Sequence, residues 1–199
     1  MIRSRSFRLG SLALVLAGSL ASCGGDTMTS ARFTASATPP APGLVKLVRR
    51  SSSGARVVVD VVVYGPEPAL DLFGFELGVR IGNPDLVKFR EQTAYPQSAL
   101  EPDAGQTISM DVDGMTDRSV VRIQVKKSGG AGNGVPGSSA VVIALPFDVQ
   151  GDGATSLTLI GLGGGAPRAF DSHLAPIGAV TFDAASAGVR GVTTGGGVY

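Results

Sequence analysis

The 199-residue chain has no tryptophan, one cysteine and one histidine. With Cys23 as the single cysteine, no intrachain disulfide can form, and no metal can be held by several thiolates. A domain exported without disulfides stands on its core alone. His173 is the single histidine and lies in Phe170-Asp171-Ser172-His173. Asp, Ser and His adjacent in sequence do not make a triad, whose members converge from separate elements, and no Gly-x-Ser-x-Gly elbow is present. An enzyme is therefore the weakest functional class, and His173 reads as a loop residue. Charge of one sign is lacking too: the formal net charge is +1, which includes Arg3, Arg5 and Arg8 at the start. The remainder is slightly acidic, with only a small basic step at Lys126-Lys127, which excludes a nucleic-acid binder. The flat aromatic platforms of sugar-binding proteins are scarce, the three tyrosines being Tyr64, Tyr95 and Tyr199. No helical period occurs beyond the first two dozen residues.

The beginning of the chain differs from the rest. Arg3, Arg5 and Arg8 precede an apolar run from Leu12 to Leu20, a charged region followed by a hydrophobic one too short to span a bilayer. The run ends in Leu20-Ala21-Ser22-Cys23-Gly24-Gly25. This resembles the bacterial lipobox: a Leu three residues before the Cys, two small residues, then the Cys. The resemblance implies that residues 1–22 are a lipoprotein signal peptide, cut before Cys23, and that Cys23 is acylated on its thiol and its new N-terminus. Several acyl chains anchor more firmly than one. It also implies a place in the bacterial cell envelope. Gly24 lacks the Asp associated with inner-membrane retention, so the outer membrane is expected in a Gram-negative cell. The alternative is an ordinary secretory signal with a chance cysteine.

Residues 23–43 are rich in Ser, Thr, Ala and Pro and end in Pro39-Pro40-Ala41-Pro42. They read as a flexible tether, with a terminal strand around Phe33 as the alternative. The body, residues 44–184, is organised around the stretch from Val57 to Phe89. Val57, Val59, Val61 and Val63 share one face of a strand, and Phe73, Phe75, Leu77, Val79 and Ile81 share one face of another. This is the period-2 signature of half-buried strands. Gly65-Pro66-Glu67-Pro68 turns between them. Further alternation places Ile108, Met110 and Val112 on one face, and Val121, Ile123 and Val125 inside, with Arg122, Gln124 and Lys126 outside. It also places Val141, Ile143, Leu145, Phe147 and Val149 inside. Leu157 and Leu159 mark one more strand, and Val180 and Phe182 the last. Gly-rich 128–138 reads as a loop, and 185–199 as a loose tail. The spacing predicts an all-β sandwich or jelly roll of about nine strands.

Two other patterns imitate ligand sites. Asp111-Val112-Asp113-Gly114 with Asp117 hints at a calcium loop, but the bidentate Glu and flanking helices are missing, and a hairpin connection is expected instead. Gly161-Leu162-Gly163-Gly164-Gly165-Ala166 follows a strand as a dinucleotide fingerprint would. Pro167 and the lack of a helical period deny it the helix N-terminus a phosphate needs. No cofactor or metal is expected.

The order of strands is similar to that of a cohesin domain, from the sandwich superfamily that also holds cellulose-binding modules. The motifs that carry the resemblance are Ala69-Leu70-Asp71-Leu72-Phe73-Gly74-Phe75-Glu76-Leu77 after the valine-rich strand, Pro84 and Leu86 in the following turn, and Ala144-Leu145-Pro146-Phe147-Asp148-Val149 late in the chain. The usual Tyr-Asp before that Pro is replaced by Gly82-Asn83. The resemblance implies a non-catalytic binding module, with a dockerin-type protein from polysaccharide-degrading complexes, or a polysaccharide, as partner. Cohesins use one sandwich face of polar and small apolar residues. The row Leu72, Gly74, Glu76, Gly78 and Arg80 is such a face: small residues allow close approach, while Glu76 and Arg80 offer polar anchors. The same row also reads as a plain solvated face. A structural envelope lipoprotein without a discrete ligand is the alternative function.

Overall fold

The computed structural model describes residues 28–115, 118–135 and 137–194. The signal-like segment, Cys23, Asp117 and Tyr199 lie outside the described residues. Within them the chain forms strands and a single short 3-10 turn, and no helix is long and apolar enough to cross a membrane.

In chain order the strands are β1 (Met28–Thr34), β2 (Leu44–Ser53), β3 (Arg56–Tyr64), β4 (Glu67–Leu72), β5 (Gly74–Ile81), β6 (Val87–Phe89) and β7 (Ile108–Gly114). They continue as β8 (Val120–Lys127), β9 (Asn133–Val135), β10 (Ser139–Val149), β11 (Gly153–Ile160), β12 (Arg168–Phe170), β13 (Thr181–Phe182) and β14 (Ala187–Thr194). The larger sheet runs β1-β14-β11-β5-β8-β7, with β12 also paired to β5; the smaller runs β13-β2-β3-β10-β6. A third, two-stranded sheet pairs β4 with β9. The expectation of a β-sandwich holds, with fourteen strands among the described residues where about nine were expected, the added ones being mostly short or built of small residues.

The two strands that organise the sequence do not pair with each other. β3 is central in the smaller sheet and β5 in the larger, so Gly65–Pro68 starts a crossing from one layer to the other. Their apolar faces meet in one core: Val57, Val59, Val61 and Val63 from β3, and Phe75, Leu77, Val79 and Ile81 from β5, are all buried. Val121, Ile123, Val125, Leu157 and Leu159 join them, as alternation predicts.

Four readings change. First, part of the expected tether is a strand, the alternative read around Phe33. β1 pairs with β14 along its whole length, from Met28 opposite Thr194 to Thr34 opposite Gly188, and Ala31 and Phe33 are buried. The expected tail supplies the partner strand, burying Ala187 and Val189. Small residues obscured both strands, because Ala and Gly fill inward positions where a large apolar residue would have revealed the period. Second, β13, with Phe182, is not the last strand; it is a two-residue parallel addition to β2. Third, β10 carries a bulge between Val141 and Ile143 in its pairing with β3. The extra residue shifts the phase, so Val142 is buried and Val141 is not. The freed carbonyl of Val141 accepts from the backbone N–H groups of Ser98 and Ala99 (2.7 and 2.8 Å). Fourth, the Gly-rich loop contains β9. A Cβ on Gly134 would lie 2.5 Å from the Cα of Pro68, so only glycine lets β9 approach β4 this closely.

Candidate functional site

The outer face of the larger sheet is built from β5 and its neighbours. Because β5 alternates, Gly74, Glu76, Gly78 and Arg80 point away from the core. β8 places Lys126, Gln124, Arg122 and Val120 opposite these four. On the other side, β12 sets Arg168 against Glu76 and Phe170 against Gly74, and β11 sets Ile160 against Gly78 and Thr158 against Arg80.

Leu72 does not belong to this face. It ends β4 opposite Asn133 of β9 and is fully buried. The chain changes sheets at Phe73, so the alternation read through Leu72 is broken there, and Leu72 and Phe73 are both inside. Gly74 and Gly78 are on the face, but this chain's own side chains occupy the space they leave. A Cβ on Gly74 would lie 2.4 Å from the Phe170 ring and 2.7 Å from the carbonyl oxygen of Val125. At Gly78 it would meet Ile160, Leu162 and Val120 at 3.1 to 3.2 Å. An aromatic ring laid across a strand glycine restores packing that the glycine lacks. Gly74→Ala is therefore expected to cost about 1–3 kcal/mol through overpacking, read as a lower urea midpoint with an unchanged slope.

Glu76 and Arg80 remain as polar groups of the row. Glu76 accepts from Arg168, with Nη2 at 2.6 Å and Nε at 3.2 Å from the same carboxylate oxygen. The pair is solvated and contributes at most about 1 kcal/mol. Nothing in the sequence joined Arg168 to Glu76, 92 residues away. Arg80 is exposed and makes no ion pair among the described residues. It borders a recess of about 430 Å³ walled by Met115, Val120, Ile160, Leu162 and the Gly163–Gly165 segment. The recess floor rests on the single 3-10 turn, Leu162–Gly164, in which Gly163 and Gly164 have φ of +61° and +83°. The sequence that imitates a dinucleotide fingerprint is thus a rim on this face, with no helix behind it.

The basic step at Lys126-Lys127 divides: Lys126 is exposed, whereas Lys127 is buried and donates to the carbonyl of Ala131 at 3.0 Å. Asp111 and Asp113 stand on β7 opposite Gln124 and Arg122 of β8. The hairpin is present, but Asp113 and Gly114 lie within its first strand and the connection starts only after them, at Met115; charges on this exposed edge also discourage pairing with another chain. Tyr95 is buried against Phe89, with ring centres 6.3 Å apart, and is no sugar platform.

His173 is exposed in the turn after β12. Ser172 Oγ donates to Asp71 at 2.6 Å, not to His173. Asp71 also accepts from the backbone N–H groups of Ser172 and Gly132. These bonds, that from the Ser172 hydroxyl foremost, hold the Asp71 carboxyl below its ordinary range against the opposing effect of burial. Asp171 accepts from the N–H groups of His173 (2.9 Å) and Ala175 (2.8 Å). Ligand atoms of Asp71, Asp171 and His173 lie within 4.8 Å of one another. Asp71 fastens the turn to β4 and Asp171 closes the turn on itself, so the cluster reads first as a loop clasp.

The chain matches no family model and no curated protein sequence. Solved structures do resemble it. A type II cohesin domain from the cellulosome of Acetivibrio cellulolyticus superposes with a TM-score of 0.51 at 10% identity, over 75% of this chain and 95% of that one. The second type II cohesin module of an adaptor scaffoldin from the same organism gives 0.50 at 8% identity, over 70% and 83%. The fold is cohesin-like, and at these identities the likeness is one of fold.

Proposed function

We propose that this chain is a cohesin-like binding module, anchored in the bacterial cell envelope through acylated Cys23, that holds a protein partner on the outer face of its larger sheet. The observation that carries this reading is the cohesin-like sandwich with an open recess on that face, beside an arginine that has no acidic partner among the described residues. The family resemblance supports a dockerin-type partner and a link to polysaccharide degradation. The lack of tryptophan and the burial of Tyr95 favour a protein over a polysaccharide as the group bound directly. The lipobox-like Leu20-Ala21-Ser22-Cys23 supports the anchor, and Gly24 in place of a retention Asp supports the outer membrane if the cell is Gram-negative.

Two experiments test the reading. Metabolic labelling with a fatty-acid analogue is expected to mark the wild-type chain and not Cys23→Ala; equal labelling of both would contradict the anchor. The soluble chain from residue 24, used to retain proteins secreted by the source cell, is expected to hold a specific partner that Glu76→Lys/Arg80→Glu releases. Retention of that partner equally by both versions would remove this face as the site.

A further inference from the structure

We propose that the recess beside Arg80 is a subsite for a carboxylate side chain followed by an apolar one, so that the partner presents an acidic–apolar peptide segment. This inference rests on the binding-module reading and specifies the chemistry of its partner.

The arginines with partners set the comparison. Arg50 pairs with Asp60 at 2.7 Å, Arg56 with Asp148 at 3.0 Å, and Arg168 with Glu76 at 2.6 Å. Among the described residues Arg80 has no such acid, a state it shares with Arg32, Arg49, Arg118, Arg122 and Arg190; what sets it apart is that it borders the apolar recess, with the uncharged Val120 and Thr158 as cross-strand neighbours. A guanidinium offers a planar fork of donors suited to a carboxylate. Its surroundings increase the value of that match. Met115, 46% exposed, projects at the recess margin, and Val120, Ile160 and Leu162 are half-buried walls. A carboxylate entering here exchanges water for apolar walls on several sides, and a charged contact strengthens as the local dielectric falls. The same walls receive the apolar side chain that follows. Gly163, Gly164 and Gly165 carry no side chains, so the partner's backbone can approach the rim closely.

The charges nearby extend the complementarity. Arg122 lies across from Gly78 and Lys126 across from Gly74, both exposed. Asp111 and Asp113 stand one strand further out, on β7. A segment lying between the 3-10 turn and β8 therefore passes Arg80, Arg122 and Lys126, with Glu76 neutralised by Arg168 and Asp113 facing Arg122 from the outer strand. An acidic sugar would bring the same carboxylate, but the walls are aliphatic and thioether groups without an aromatic ring, which suits a peptide better than a sugar face.

The test uses the chain from residue 24 to 199, which keeps every described residue, and follows backbone amide resonances during titration. The probes are the capped dipeptides acetyl-Glu-Leu-amide and acetyl-Gln-Leu-amide, and trigalacturonate. The Glu peptide is expected to shift the amides of Val120, Gly161, Gly163 and Gly164. The Gln peptide is expected to bind at least about tenfold more weakly, the size of a lost charge-assisted hydrogen bond. Arg80→Gln is expected to remove that difference, and Arg122→Gln to preserve it. Equal affinity for the Glu and Gln peptides, an unchanged preference in Arg80→Gln, or tighter binding of trigalacturonate would each overturn the proposal. The two readings fail separately. A captured partner released by Glu76→Lys/Arg80→Glu but held unchanged by Arg80→Gln overturns the subsite and leaves the module. Arg80-dependent peptide binding by a chain that retains no protein supports the subsite and removes the module.

Discussion

A chain that begins at Ala35 is expected to be less stable than one beginning at Met28 by about 3–5 kcal/mol or more, the cost of losing one buried Phe ring. At roughly 2–4 °C per kcal/mol for a domain of this size, its melting temperature should fall by about 6–20 °C. The cause is β1. It pairs residue by residue with β14, buries Ala31 and Phe33, and its Ala31 N–H donates to the carbonyl of Gly54 in the β2–β3 turn at 2.7 Å. Removing β1 leaves Val189 without Phe33 beside it and exposes the unpaired edge of β14. A flexible tether would behave differently: starting at Met28 or at Ala35 would give the same melting temperature. Thermal unfolding of the two truncations separates these outcomes. Phe33→Ala in the longer chain should reproduce most of the loss.

The second large effect is expected at Asp183. Lys46 and Asp183 are both buried, with Nζ 3.9 Å from Oδ2. Lys46 donates to the carbonyls of Ser36 (3.1 Å) and Thr38. Asp183 accepts from the hydroxyls of Ser36 and Thr38, the latter at 2.8 Å, and from the N–H of Ala185 at 3.0 Å. This knot ties residues 35–38 to β2 and to the segment after β13. Asp183→Ala leaves a buried ammonium without its counter-charge and should cost about 3–5 kcal/mol. The pH dependence has a definite sign. Burial alone raises the Asp183 carboxyl, but the hydroxyl and N–H donors and the Lys46 charge outweigh it and hold it below its ordinary value. Its contribution is therefore present above the unfolded carboxylate value of about 3.9 and is lost as pH falls through the lower folded value. Asp71 acts in the same direction. Asp60 opposes them: burial outweighs its bond to Arg50 and raises it, so its part of the stability declines as pH rises through the interval above 3.9. Urea midpoints measured from neutral pH down to about pH 2.5 should fall steeply in wild type and less steeply in Asp183→Ala. Parallel curves would contradict the assignment.

What was legible in the sequence follows from the size of the side chains. Val57, Val59, Val61 and Val63, and Phe75, Leu77, Val79 and Ile81, announce their strands because large apolar residues alternate with others, and the cohesin-like fold rests on them. β1 was legible only at Phe33 and β14 was hidden, because Ala31, Ala187 and Gly191 occupy inward positions where a larger residue would have shown the period. The bulge at Val142 was hidden for the opposite reason: Val141, Val142 and Ile143 are all apolar, so the phase is ambiguous. Gly74, Glu76, Gly78 and Arg80 do alternate outward on β5, and of the four only Arg80 is exposed. Phe170, Arg168 and Leu162 arrive from distant sequence to cover the first three, and no local pattern encodes such contacts. Leu72 was misplaced because a period-2 pattern says nothing about where a chain leaves one sheet for another.

The central claim is that the outer face of the larger sheet holds a protein partner, and amide hydrogen exchange in the complex with a captured partner tests it most directly. Slowed exchange is predicted at Gly78–Arg80, Val120–Gln124 and Leu162–Gly165, with β2, β3 and β10 of the smaller sheet unchanged. Protection confined to the smaller sheet, or spread to neither face, would contradict the account.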